Sequence, residues 1–310
     1  MIKDNNKKII CSFYKFKKIK NLYSLKKNLL NIIKKNQIFG TVIIAKEGIN
    51  GSLSGTHKSI VLVEDFLKNE ISSNLIFKNH FYIKDPFLRQ KVKIKKEIVR
   101  LGLAKVNVEK TTGKYIKPEG WSKFVNDSQT VVIDARNKYE SEIGFFKNAI
   151  TPETDSFSEF PDWIKRNKEK LKGKRIAMYC TGGIRCEKAS SYMIDLGLKD
   201  IYQLEGGILN YLDLIKSKDN LWNGECFVFD DRVSVNNNLK KGKYVQCFAC
   251  RSALSEKDVN SKHYIKGISC KRCYDKTSLK KKRGLAEREK QIKIAKIRET
   301  NHFVKKNKLK

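Results

Sequence analysis

The segment Tyr179-Cys180-Thr181-Gly182-Gly183-Ile184-Arg185-Cys186 carries the densest chemistry in the chain. It lies between an apolar run, Arg175 to Met178, and a helical pattern starting near Glu187, and so predicts a strand, a tight loop and a helix start. A cysteine at the mouth of such a loop faces the backbone N–H groups of the next residues and the positive end of the helix dipole. Both stabilise a thiolate. Arg185 adds a fixed positive charge, and Gly182 and Gly183 let the loop curl without a Cβ clash, so Thr181 to Arg185 form a cradle for an anionic sulfur or a bound oxyanion. The expected chemistry is sulfur-centred, with Cys180 reactive. Cys186, at the helix start, reads either as a resolving thiol or as a small buried residue.

A second set of cysteines has a different logic. Cys247-x-x-Cys250 and Cys270-x-x-Cys273 are separated by nineteen residues, the spacing of a ribbon whose two knuckles share one tetrahedral zinc ion. Four thiolates complete the shell without His263, so the predicted role is structural. Cys11 and Cys226 sit in apolar, strand-like strings and read as packing. The start of the chain leads into no apolar signal core and no run of eighteen apolar residues occurs, which predicts a cytoplasmic protein with no membrane contact and no structural disulfide.

These sites need elements to hold them. Residues 9 to 17 read as a strand, Ser24 to Asn36 as a helix, Gly40 to Ala45 as a buried strand, and Asn50-Gly51 as a turn into Ser52 to Gly55. A helix over His57 to Asn69 and strands near Phe77 to Ile83 and Lys91 to Val99 follow. That order predicts a ferredoxin-like α+β domain over 1–100. Phe81, Tyr82 and Phe87 are expected in its core rather than against a nucleic-acid base. Residues 101–122, without periodicity, read as a connector. Strands at Val131 to Asp134, Arg175 to Tyr179 and Lys199 to Leu204 alternate with helices at Phe157 to Glu169 and Glu187 to Leu196, which predicts a parallel α/β domain over 123–220. Cys180 falls at the carboxyl end of a strand, where such sheets gather reactive groups. Residues 221–275 hold the zinc-binding module, and 276–310 form a basic tail with a helix-prone run from Leu285 to Arg298.

The 66 Lys and Arg against 33 Asp and Glu give a formal charge of +33, which attracts polyanions and makes nucleic acid the first partner to consider. Abundant Lys, Asn and Ile also match the drift of an AT-rich genome, which discounts that signal.

Taken together, Asp134-Ala135-Arg136 with Tyr139-Glu140, Gly144 to Ala149, the Cys180 to Cys186 loop and Leu204-Glu205-Gly206-Gly207-Ile208 resemble a rhodanese domain. Adding Glu47-Gly48-Ile49-Asn50-Gly51, Lys91 to Val99, Cys180 through Ser190, Gly224 to Asp230 and the paired CxxC units, the chain resembles the rhodanese-containing tRNA uridine(34) hydroxylase family over roughly residues 9 to 275. The resemblance implies an oxidoreductase of tRNA processing that uses molecular oxygen as co-substrate to form 5-hydroxyuridine at the wobble position. It makes Cys180 the active-site residue, carrying a cysteine persulfide. It also places Asp134 and Arg136 as a salt bridge supporting the active-site loop. No flavin or nicotinamide motif is seen, and the sequence names neither the electron or sulfur donor nor the oligomeric state. The residues alone point more directly to a sulfurtransferase passing persulfide from Cys180 to tRNA or protein than to the hydroxylase, and a non-enzymatic RNA-binding adaptor is a third reading. The anticodon loop is expected between the first domain and the Cys180 mouth.

Overall fold

Between Lys8 and Arg100, alternate residues of the central strands turn an apolar face toward two helices. The structure, a computed structural model, describes residues 8–83, 85–103, 106–216 and 220–298; residues 1–7 of the first predicted domain and 299–310 of the predicted tail lie outside them. The chain divides at Arg100 into two compact units.

The first unit runs β1 (Lys8–Phe16), α1 (Leu22–Lys35), β2 (Phe39–Ala45), β3 (Gly48–Gly55), α2 (His57–Glu70), β4 (Phe77–Tyr82) and β5 (Gln90–Ile94). Its sheet has the order β4-β1-β3-β2-β5, antiparallel except for β5, which lies parallel to β2. This is the predicted ferredoxin-like sandwich with one further edge strand. Asn21 caps α1 by accepting from the Ser24 N–H at 3.1 Å, and Leu25, Leu29 and Ile33 then fall on one buried stripe. Thr56 does the same for α2, presenting Ile60, Val63 and Leu67. These side chains close on Ile9, Cys11, Phe13, Val42, Ile44, Ile49, Leu53 and Val92.

Three expectations for this unit need correction. Asn50-Gly51 is not a turn: the chain reverses at Lys46-Glu47, and both residues lie inside β3. Gly51 is there because a Cβ would meet the Phe13 ring at 2.6 Å, so close packing of an aromatic, not turn chemistry, selects it. The strand expected over Lys91 to Val99 ends at Ile94, and Ile98 packs as irregular chain, its N–H donating to Glu47. Phe81, expected in the core, is 72% exposed, because β4 is an edge strand with one helix-covered residue row only at its Phe77 end.

The second unit opens with β6 (Lys114–Ile116) and α3 (Pro118–Val125). Both begin inside the stretch read as a connector; a three-residue strand is too short to show a period, and its pairing with a partner some ninety residues later leaves no local signal. Then come β7 (Thr130–Asp134), α4 (Lys138–Ser141), β8 (Gly144–Phe146), a 3-10 turn at Phe157–Glu159, α5 (Phe160–Leu171), β9 (Arg175–Tyr179), α6 (Ile184–Asp195), β10 (Ile201–Leu204) and α7 (Gly207–Leu214). Their parallel sheet, β6-β10-β9-β7, is the rhodanese-like α/β layer, with helices packed on it. Trp121, Phe146, Tyr179, Tyr211 and Trp222 meet edge-on or tilted in its core, with centroids 4.8–6.4 Å apart.

Short two-stranded sheets finish the unit: β11 (Trp222–Gly224) pairs with β8, β12 (Cys226–Phe227) with β13 (Ser234–Val235), and β14 (Val245–Gln246) with β15 (Ala253–Leu254), followed by α8 (Glu256–Val259) and α9 (Leu279–Ile297). Helix α9 starts six residues before the helix-prone run read from the sequence, because the Ser278 hydroxyl caps it. None of its residues is buried. Arg288 ties it down by donating to the carbonyls of Gly267 and Phe248. No helix among the described residues is long and apolar enough to cross a membrane.

Candidate active site

Strand β9 ends on Tyr179 and delivers Cys180 to the loop before α6. Gly183, at φ 104°, forms the N-cap of that helix, a backbone state open to glycine, and its N–H points at the Cys180 sulfur at 3.1 Å. The base of the loop is clamped by α7: the N–H groups of Ile208 and Leu209 donate to the carbonyls of Cys180 and Thr181 at 2.9 and 3.1 Å. Gly207, at φ 70°, allows this approach, since a Cβ there would meet the Cys180 carbonyl at 2.5 Å and the Gly182 and Gly183 nitrogens at 2.8 Å. Gly207→Ala is therefore expected to destabilise the chain by about 2 kcal/mol and to misalign the cradle, read as a lower urea midpoint together with a weaker thiolate signal.

Burial pushes the Cys180 thiol up, because a charged sulfur is disfavoured away from water. A hydrogen bond from the Cys186 thiol, the Arg185 charge and the N–H groups of Cys186 and Arg185 outweigh it and bring Cys180 down to about 5. Cys186 is pushed well above the ordinary thiol range by burial and by donating to Cys180. In the folded chain the pair is thus one thiolate and one thiol. From about pH 5 up to the unfolded thiol value of about 8.5, unfolding takes up a proton, so stability rises with pH by about 1.4 kcal/mol per unit and is lost as pH falls through 5. Urea titrations across this range are expected to show that slope in the wild type minus Cys180→Ser difference.

Arg185 is held by Glu140, a residue whose role no local pattern discloses. Its Nη1 and Nη2 donate to the two carboxylate oxygens of Glu140 at 2.6 and 2.7 Å, and Nη2 also reaches the Thr181 hydroxyl at 3.3 Å. Glu140 is fully buried. Burial pushes its carboxyl up, but Arg185 holds it below the usual carboxylate range. Besides its place in the Tyr139-Glu140 string of the rhodanese resemblance, its local signal is the Asn137-x-x-Glu140 capping box that starts α4, with Glu140 accepting from the Asn137 N–H at 3.2 Å.

Behind this lies a second buried pair. Arg136 donates to both oxygens of Asp134, at 2.9 and 2.6 Å, and to the carbonyls of Gly144 and Glu140, while its guanidinium lies over the Tyr179 and Trp222 rings at 5.6 and 5.0 Å from their centroids. It therefore ties the end of β7 to β8 and α4, which positions Glu140 and through it Arg185. Ile184 starts α6, and Gly182 has open space around it. On the outer side of Arg185, 5.9 Å from its guanidinium, stands Phe229, 63% exposed and held edge-on by Phe227.

The four C-terminal cysteines also come together. All their sulfurs lie within 4.8 Å of one another, with Cys247 to Cys273, Cys250 to Cys270 and Cys270 to Cys273 at 3.9, 3.7 and 3.9 Å. A tetrahedral zinc with Zn–S bonds of about 2.3 Å has edges of about 3.8 Å, so the donor set fits a metal such as zinc. His263 packs against Tyr274 with the rings tilted, 4.9 Å between centroids, rather than joining the set.

Residues 8–98 match the family model described as the UPF0176 acylphosphatase like domain, and residues 118–214 match the rhodanese-like domain model. Among solved structures, the rhodanese-like domain of an Anabaena protein is 14% identical over 36% of this chain and 80% of its own length, with a TM-score of 0.30. A rhodanese-related protein of Thermoplasma volcanium is 23% identical over 32% and 91%, with a TM-score of 0.27. An acylphosphatase from Coxiella burnetii is 13% identical over 30% and 100%, with a TM-score of 0.23.

Proposed function

We propose that this chain is a tRNA-modifying enzyme that hydroxylates C5 of the uridine at wobble position 34, with Cys180 as its reactive group. The observation that carries the reading is the Cys180 thiolate, brought down to about 5 by Cys186, Arg185 and the start of α6, inside a rhodanese-like domain. The resemblance to the hydroxylase family supplies the substrate. In the net reaction C5–H becomes C5–OH, with one atom of dioxygen entering the base and the other leaving as water. Two electrons and two protons come from a thiol-class reductant.

The chain's own part is to keep the sulfur ionised, to exclude water from it and to seat the base. Cys180 is fully buried, Arg185 is locked toward it by Glu140, and the exposed Phe229 ring offers a face on which a pyrimidine can stack. The positive surface supports a tRNA partner. Nucleosides of tRNA from cells lacking the protein, complemented with wild type or Cys180→Ser, test the reading by mass spectrometry. Loss of 5-hydroxyuridine derivatives restored by wild type alone is expected.

The burial of Cys180 favours a second reading. With no exposed surface on that residue, a single sulfur atom reaches it more easily than a whole base. A sulfurtransferase would take sulfane sulfur from thiosulfate, the thiolate attacking the outer sulfur, sulfite leaving with the bonding pair, and Cys180 ending as a persulfide anion. Thiosulfate-dependent sulfite release and altered thiolated nucleosides, with 5-hydroxyuridine unchanged, would select it. Indifference of every nucleoside to Cys180→Ser would leave the RNA-binding adaptor.

A further inference from the structure

We propose that the sheet face of the first unit turned away from α1 and α2 is a binding surface for single-stranded RNA. The register defines this face. Ile9, Cys11, Phe13, Val42, Leu53 and Val92 point into the helix-covered core, so their neighbours Ser12, Tyr14, Thr41, Ile43, Ser52, Lys91 and Lys93 point the other way. Read across the pairings, one row runs Lys78, Ser12, Ser52, Thr41, Lys91 over all five strands, and the next runs Tyr14, Asn50, Ile43, Lys93. The first row is hydroxyls bounded by lysines, about 19 Å across at 4.8 Å per strand. Nothing in it is an apolar side chain that a core would need.

Charge names the occupant. From Lys8 to Arg100 there are twenty Lys and Arg against six Asp and Glu. Of those six, Glu64, Asp65 and Glu70 belong to α2 on the other side of the sheet. Asp85 accepts from Ser54 at 2.6 Å at one end of the open face, and the Asn50 amide donates to the Ile98 carbonyl at 3.0 Å at the other. Between those ends the Lys91 ammonium is pulled below its ordinary value by burial first and then by the charges of Arg89 and Lys93, which place three cations together on this edge of the sheet. Lysines and hydroxyls suit phosphate and ribose oxygens, and the Tyr14 ring, set edge-on to Phe16 at 6.4 Å, suits an unstacked base. A duplex keeps its bases stacked on one another and offers Tyr14 no such face.

The inference rests on RNA being the substrate class, and is independent of what Cys180 does to it. The test is fluorescence anisotropy of the full chain with labelled oligouridylate and with a blunt RNA duplex. Lys91→Glu/Lys93→Glu is expected to weaken oligouridylate binding at least tenfold and to lower the salt slope by about 0.7 for each phosphate no longer neutralised. Tyr14→Ala is expected to weaken oligouridylate severalfold and the duplex little. The control is Lys27→Glu/Lys58→Glu, which reverses two charges on the helix side. Equal weakening in that control, or full affinity in Lys91→Glu/Lys93→Glu with an unchanged thermal midpoint, would overturn the proposal. The Cys180 thiolate signal, followed in the same variants, separates a failed surface from a failed reading of the catalytic unit.

Discussion

Arg185→Met is expected to move the Cys180 thiol from about 5 back toward the ordinary value near 8.5, removing about tenfold or more of the thiolate present at pH 6. The guanidinium is the one full positive charge among the groups that lower Cys180; the others are hydrogen bonds. The same change strands Glu140, which is fully buried and accepts its two shortest hydrogen bonds from Arg185. Breaking a buried pair from one side destabilises by about 3–5 kcal/mol, so the chain should also unfold at markedly lower urea. Glu140→Gln separates the two effects. It keeps an acceptor for Arg185 and leaves the cation less neutralised, so the thiol should stay at or below its wild-type value while stability falls. Ultraviolet thiolate absorbance against pH, taken as a difference from Cys180→Ser, reads both. An unchanged titration in Arg185→Met would assign the thiolate to the Cys186 thiol and the α6 N–H groups alone.

How legible each part of the site is in the sequence follows from how local its signal is. The Cys180 loop can be read because strand, glycines and helix start are contiguous, and the four-cysteine site because its spacing states the geometry. Glu140 stands in a recognisable motif without disclosing its partner, since its meeting with Arg185 spans forty-five residues and depends on Arg136 fixing α4 against β8. Asn50-Gly51 misleads for the opposite reason. The pair has strong turn propensity, yet Phe13 and Val42 on the neighbouring strands require a missing side chain at Gly51, and tertiary packing overrides the local preference. Strand β6 and the exposed Phe81 show the same limit: which strand forms an edge is a property of the sheet, not of the strand.

Removing the metal is expected to have the largest structural effect of all, and a confined one. Around Cys247, Cys250, Cys270 and Cys273 the apolar cluster adds only Leu254 with the half-buried Ala249, Val259 and Tyr264, too little to hold two knuckles together without an ion. Structural zinc in such modules contributes about 10–16 kcal/mol of apparent folding energy. Helix α9 would depend on an ion at the four cysteines at one remove. It is nineteen residues long with none buried, and Arg288 anchors it to the carbonyls of Phe248 and Gly267 inside the module. Chelation, or Cys270→Ser, should therefore abolish metal binding at one ion per chain and lower helix content by roughly the α9 share, because a solvated helix without a packed face is marginal. The Cys180 titration should persist, since its determinants lie in β7 to α7. Metal analysis of the purified chain decides between zinc and iron, both of which accept four thiolates. Unchanged circular dichroism and hydrogen exchange over 245–298 in the metal-free chain would show instead that the knuckles are held by protein packing alone.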